Sequence, residues 1–316
     1  MKKKKEVLLY LITGFLESGK TSFLREVIEE GQFADGKVSL YIRCEEGVEE
    51  LDEELLLKNN IKFRNVEEEE EITREYFDKC EEYVKPERVL IEYNGTWDPE
   101  RVMEAMPDHW VLAEGIAVVD ATTFEQYLSN MKQMMTRQFT YADLIIFNRS
   151  DENTMNLAGY KRKARAVNRR AQVVFEMKDG TVNGDIKEEL PYDINAPVIE
   201  VSDEDYGIWY LDAFENPDEY VDKKVHFKGV VFKPKKSKPD IFVPGRFCMT
   251  CCEADIQFYG FPCRFSGADK LKEKQVIDIT AVMKTAMSRS FGRPTPTLIA
   301  LEVENAEPPA EEIVYF

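Results

Sequence analysis

The sequence predicts an α/β fold: a P-loop NTPase domain with a mostly parallel sheet, then a small β-rich, OB-like barrel. Three observations carry this reading. An apolar strand, a glycine-containing turn and an amphipathic helix follow one another over residues 7–28. Two further apolar strands, at 88–91 and 142–147, each deliver polar residues at their carboxyl ends. Beyond the Pro- and Asn-containing stretch at 191–197, short β-rich runs take over. The 316 residues suit about two domains. They are placed at 1–196 and 197–316, each long enough to bury its own core.

Lys and Arg number 42 against 60 Asp and Glu, a net charge of -18. Gripping nucleic acid needs a net basic face, so nucleic acid is not an expected partner. The acid excess suits a soluble cytoplasmic protein. Four of the six cysteines lie between positions 248 and 263. Disulfide-stapled secreted domains are far shorter and denser in cysteine, so the cluster points to metal or redox chemistry in a reducing compartment. His109 and His226 are the only histidines, so a metal site must rest on cysteines and carboxylates. The start, lysines 2–5 and then apolar residues 7–12, imitates a signal peptide. However, Glu17-Ser18-Gly19-Lys20 follows in place of a small-residue cleavage site. The apolar run is also too short to cross a bilayer and reads as a buried first strand.

The first element of chemistry is Gly14-Phe15-Leu16-Glu17-Ser18-Gly19-Lys20-Thr21, which matches G-x-x-x-x-G-K-[ST] between strand and helix. Its glycines let backbone N–H groups converge on phosphate oxygens, and the helix N-terminus adds partial positive charge. Glu17, Ser18, Gly19 and Ser22 complete the turn. Lys20 is expected at the β and γ phosphates, and the Thr21 hydroxyl on Mg²⁺. The strand at 88–91 ends on Glu92, where a P-loop enzyme places a Mg²⁺-water ligand, and Gly95 follows within reach of a γ-phosphate. The strand at 142–147 delivers Asn148-Arg149-Ser150-Asp151, similar to the guanine-reading N-K-x-D box. Asp151 would accept from guanine N1 and N2 hydrogens, which adenine cannot supply, so GTP is favoured over ATP. Arg149 stands where Lys is usual and can also stack on a base.

These motifs resemble the CobW-type P-loop GTPases, whose members act as metallochaperones and metal-insertion factors. The likeness rests on the Phe15-Leu16 variant of the first motif and on Glu92 to Gly95 as E-x-x-G. It extends through Val118-Val119-Asp120-Ala121, Gln138, Ala142-Asp143 and Val167-Asn168-Arg169-Arg170-Ala171. It covers about residues 6–178. The resemblance implies a slow, Mg²⁺-dependent GTPase with Lys20, Glu92 and Glu45 as catalytic groups. It also implies a metal-receiving protein as partner. Two departures stand out. The family's N-E-x-G segment falls on Cys44-Glu45-Glu46-Gly47, so only Glu45 and Gly47 match. Its C-x-C-C metal motif has no counterpart; Glu67 to Glu71 occupies that interval, read as a solvated acidic segment.

In the second half, a helical stretch at 206–220 precedes strands expected at 225–232, 241–249, 256–265, 276–287 and 297–304. This half resembles the C-terminal domain of YcgQ-like bacterial proteins, which are associated with a membrane permease. The likeness rests on 220–229 and on Arg246-Phe247-Cys248-Met249-Thr250-Cys251-Cys252-Glu253-Ala254-Asp255. The alternative function it implies is a non-catalytic nucleotide-binding module that docks on a permease or another protein. Cys248 and Cys251 have the spacing of half a thiolate knuckle, with Cys252 beside them and Cys263 further on. They read either as a Zn²⁺ site or as core cysteines on strands.

Overall fold

A computed structural model describes residues 5–186, 190–235, 237–249, 256–309 and 311–315. The chain divides into two compact units, Met1–Ile186 and Lys187–Phe316. The division falls before the boundary expected at 196. Residues 192 and 195 bond within the second unit, Tyr192 Oη to Tyr220 Oη at 2.7 Å and Asn195 Oδ1 to Lys223 Nζ at 3.5 Å.

The first unit is built on β1 (Val7–Thr13), β2 (Ser39–Arg43), β3 (Ile61–Asn65), β4 (Arg88–Glu92), β5 (Trp110–Asp120), β6 (Leu144–Ser150), β7 (Gln172–Met177) and β8 (Val182–Asn183). Their order is β3-β2-β4-β1-β5-β6-β7-β8, parallel throughout except for the last, antiparallel pair. The inner strands β2 and β4 are buried at every position, as a sheet covered on both faces requires. The pleat sends alternate residues to opposite sides. Leu9, Leu11, Leu40, Ile42, Val89 and Ile91 pack with Phe77 of α3 (Arg74–Val84). Ile12, Tyr41 and Leu90 pack on the other face with Leu24 and Ile28 of α1 (Lys20–Glu29). The remaining helices are α2 (Glu53–Lys58), α4 (Glu100–Ala105), α5 (Phe124–Asn130), α6 (Lys132–Arg137) and α7 (Leu157–Val167). Phe124, Met135, Tyr160 and Ala164, drawn from the last three, cover β5 to β7.

The second unit comprises β9 (Ile199–Val201), α8 (Tyr206–Glu215), α9 (Pro217–Tyr220), β10 (Lys224–Phe232), β11 (Ile241–Met249), β12 (Gln257–Gly260), β13 (Cys263–Arg264), β14 (Val276–Met287), β15 (Pro294–Asn305) and β16 (Ile313–Tyr315). The pairings close on themselves: β10 with β11, β11 with β13, β13 in parallel with β15, β15 with β14, and β14 with β10. This ring belongs to the β-rich second domain that was expected. Two expected elements are divided. The strand at 256–265 breaks into β12 and β13 at Phe261-Pro262, and the helix at 206–220 breaks at Pro217, because proline supplies no N–H. β9 and β16 were not expected; they add in parallel to β10 and β11. In the core, Trp209 of α8 is fully buried and stacks near Phe227 and Phe261, at ring separations of 4.9 Å and 5.5 Å.

Candidate functional site

The site forms where β1, β4 and β6 end, at the carboxyl edge of the parallel sheet, the usual ligand position in open α/β folds. Residues 14–19 turn the chain from β1 into α1. Gly14 has φ 137°, and a β-carbon there would strike the carbonyl of Val118. Gly19 caps α1 in the left-handed region at φ 100°, leaving the helix N-terminus open to the turn. Ser18 Oγ and Asn148 Oδ1 are buried in this cradle with no partner among the described residues. The Ser18 hydroxyl can donate, and beside a helix N-terminus and a buried lysine it fits an anionic phosphate ligand, whereas Asn148 Oδ1 only accepts and needs an N–H or O–H instead.

Lys20 is 3% exposed. Its ammonium donates to Gly14 O at 2.7 Å, Phe15 O at 2.9 Å and Glu45 Oε2 at 2.7 Å. Glu45 thus holds the cation that a phosphate would take. The acidic segment around it is anchored at two more points. Ser22 Oγ donates to Glu49 Oε2 at 2.8 Å, and Arg25 donates to Glu49 Oε2 at 3.3 Å and Glu50 O at 2.9 Å. Cys44, which replaces the asparagine of the resembling family, is buried, and burial pushes its thiol well above the usual range.

Glu92 is 3% exposed at the end of β4 and makes no ion pair among the described residues. Its two oxygens accept from Thr21 Oγ1 at 2.7 Å and from the Tyr41 hydroxyl at 2.6 Å. A buried carboxylate without a counter-charge is costly, and a divalent cation would offset it. These oxygens fit Mg²⁺ better than a soft metal.

Gly95 packs directly on the phosphate turn, where a β-carbon would lie 2.5 Å from Gly14 O and from Phe15 Cα. Gln138 ties the two together: its Oε1 accepts the Gly14 N–H at 3.3 Å and its Nε2 donates to Gly95 O at 2.9 Å. Asn148 Nδ2 donates to Ser18 O at 2.6 Å, which braces the turn from β6. Arg149, at φ 53°, donates to Glu17 O at 3.1 Å and pairs with Asp120. The pocket over the turn is lined by Gly19, Lys20, Thr21, Glu45, Glu92 and Arg149, among others. Asp151 stands apart from that lining, paired with Lys178 at 2.8 Å. The hydrogen bond from Lys178 holds its carboxyl below the usual carboxylate range.

Among the described residues, Cys248 and Cys263 do not converge. Cys263 lies opposite Phe242 on β11, and Cys248 lies opposite Gln257. The six positions from Phe242 to Cys248 span on the order of 20 Å of strand. Cys263 therefore cannot complete a ligand set with Cys248, which corrects that part of the expectation. Burial pushes the Cys263 thiol up to about 12. Cys251 and Cys252 lie outside the described residues. Among the described residues no group of three or more His, Cys, Asp or Glu is placed to hold a metal, and no helix is long and apolar enough to cross a membrane. The acidic run at 67–71 bonds to itself and its surroundings. Glu71 Oε1 accepts the N–H groups of Glu67 and Glu68 at 3.0 Å, and Glu69 accepts that of Asp98 at 3.0 Å.

Residues 8–175, more than half of the chain, match the CobW/HypB/UreG nucleotide-binding domain. The chain belongs to the CobW/HypB/UreG family. Residues 176–316 match the DUF1980 C-terminal domain, so both halves of the sequence resemblance have their counterpart. No curated protein matches. Among solved structures, the hydrogenase maturation factor HypB of Archaeoglobus fulgidus is 18% identical. It covers 54% of this chain and 80% of its own, with a TM-score of 0.38. HypB of Helicobacter pylori, solved in complex with nickel, is 15% identical over 53% of this chain and 78% of its own, with a TM-score of 0.35. A small single-stranded DNA binding protein of Mycoplasma pneumoniae is 21% identical over 29% of this chain and 97% of its own, with a TM-score of 0.18.

Sequence reasoning missed Tyr41, Glu49 and Lys178. Tyr41 sits in an apolar strand run, Glu49 in an acid-rich segment, and Lys178 after β7, with no local motif marking any of them.

Proposed function

We propose that this chain is a slow GTPase whose nucleotide state controls a metal-handling or protein-partner task. The observation that supports this reading is the convergence of Lys20, Thr21 and Glu92 on one pocket at the end of the parallel sheet. Lys20 and the amides of residues 14–19 bind and orient the phosphates. Lys20 first leaves Glu45, so the phosphate exchanges one anionic partner of the lysine for another. Thr21 and Glu92 would hold Mg²⁺, which would supply positive charge to offset that of the phosphates. Gly95 reports on the γ position through its contact with the turn. Glu45, once released, is free to orient water. Asp151 takes guanine N1 and N2 hydrogens in exchange for Lys178, and Arg149 covers the base edge with Asn148 bracing the loop. No arginine stands on the described pocket lining opposite Lys20 apart from Arg149, which is engaged with Asp120 and Glu17. Slow turnover follows.

The test is fluorescence titration of GTP together with phosphate release, for the wild type and Lys20→Ala. Loss of a charged hydrogen-bond donor should weaken GTP binding by about 10- to 100-fold and abolish turnover. Unchanged affinity and turnover would remove the reading. Tight GTP binding with no phosphate release by the wild type would leave binding intact and remove the hydrolytic half.

A further inference from the structure

We propose that Tyr41 is a positioning residue that fixes the Glu92 carboxylate for a divalent cation, an inference that rests on the metal reading of Thr21 and Glu92 above.

Tyr41 lies in the middle of β2, between Leu40 and Ile42, in a strand buried at every position. It stands opposite Leu90 of β4, two residues before Glu92. Residues two apart share a face of a strand, so Tyr41 and Glu92 emerge on the same side of the sheet, under α1. That is the side from which Thr21 descends. The phenol ring packs among the apolar side chains of this face and is 2% exposed. A hydroxyl buried in such a wall is costly unless bonded, and its partner is Glu92 Oε2 at 2.6 Å.

The directions of these bonds matter. An ionised carboxylate only accepts, so Tyr41 and Thr21 both donate to it. An ordinary phenol keeps its proton at neutral pH, so the Tyr41 hydroxyl is the donor of this bond. With one donor on each oxygen, the carboxylate is held against rotation. Thr21, its proton committed to Glu92 Oε1 at 2.7 Å, keeps its lone pairs for a cation in the pocket. Removing the Tyr41 hydroxyl frees one carboxylate oxygen and lets the pair of cation-facing oxygens drift. A tyrosine kept only to fill the core would be replaceable by phenylalanine with no effect on the metal.

The experiment titrates Mg²⁺ against a fluorescent GTP analogue bound to the full chain, for the wild type and Tyr41→Phe. It also measures analogue affinity in excess EDTA and thermal unfolding. The half-saturating Mg²⁺ concentration should rise roughly tenfold in Tyr41→Phe, the scale of one hydrogen bond to a charged group, with affinity in EDTA unchanged. An unchanged Mg²⁺ half-saturation overturns the proposal, and so does an EDTA affinity that falls by the same factor. A wild type whose binding ignores Mg²⁺ overturns the metal reading itself and takes this inference with it. Tyr41→Leu, also compatible with a buried strand, is measured in parallel, so that loss of fold in one variant still leaves a reading from the other.

Discussion

The two units use paired polar side chains in different ways. In the first, charged and hydroxyl side chains are paired with one another at positions where a nucleotide would compete: Lys20 with Glu45, Asp151 with Lys178, Ser22 with Glu49. In the second, buried polar groups serve the barrel. Tyr220 bonds Asp212, and Arg246 bonds Asp203 and Glu311 O at the foot of β11. Burial raises the Asp212 carboxyl, whereas the Lys178 bond lowers that of Asp151. The difference teaches where exchangeable interactions are stored. A nucleotide could replace Glu45 with a phosphate and Lys178 with the neutral N–H donors of a base, but nothing soluble can replace the aromatic packing around Trp209.

The largest effect that would sharpen this contrast is Trp209→Ala. It should cost about 3–5 kcal/mol of stability in the second unit, as for other large-to-small core changes. Denaturant unfolding would show that loss while GTP affinity stays unchanged, and a parallel fall in affinity would break the division. Next is Gly95→Ala, where the added methyl meets the backbone of Gly14 and Phe15. It should cost about 1–3 kcal/mol in the first unit and weaken GTP binding, read by urea unfolding and by titration. Wild-type stability and affinity would mean the approach to Gly14 has slack. The smallest is Asp151→Asn. It should lower the preference for GTP over ATP by about tenfold or more, leaving ATP affinity nearly constant in a competition assay. An unchanged ratio would place base reading elsewhere.

What the sequence made legible follows the same division. Strand, turn and helix around Gly14 to Thr21 are local, so the phosphate turn, and Glu92 and Asn148 at two further strand ends, could be read directly. Most strands of the second unit were also legible, with Pro262 dividing one of them and β9 and β16 left unread. Long-range pairings were not. The hydroxyl of Tyr41 is one polar atom in an apolar strand, and only the β2–β4 register brings it to Glu92. Gln138 was recognised by resemblance, but its bonds reach back 124 positions to Gly14 and 43 to Gly95. Cys248 and Cys263 looked close because they are near in sequence, whereas the return through β12 and β13 seats them at different heights on β11.

The contact between Gly95 and the phosphate turn has a mechanical consequence. Backbone meets backbone there, with no side chain to compress and Gln138 tying both partners. The loop after β4 therefore has one direction of travel, outward. A group arriving over Lys20 cannot push it deeper; it can only lift it or leave it in place. Any displacement that a ligand over Lys20 imposed on this loop would therefore have a fixed sign.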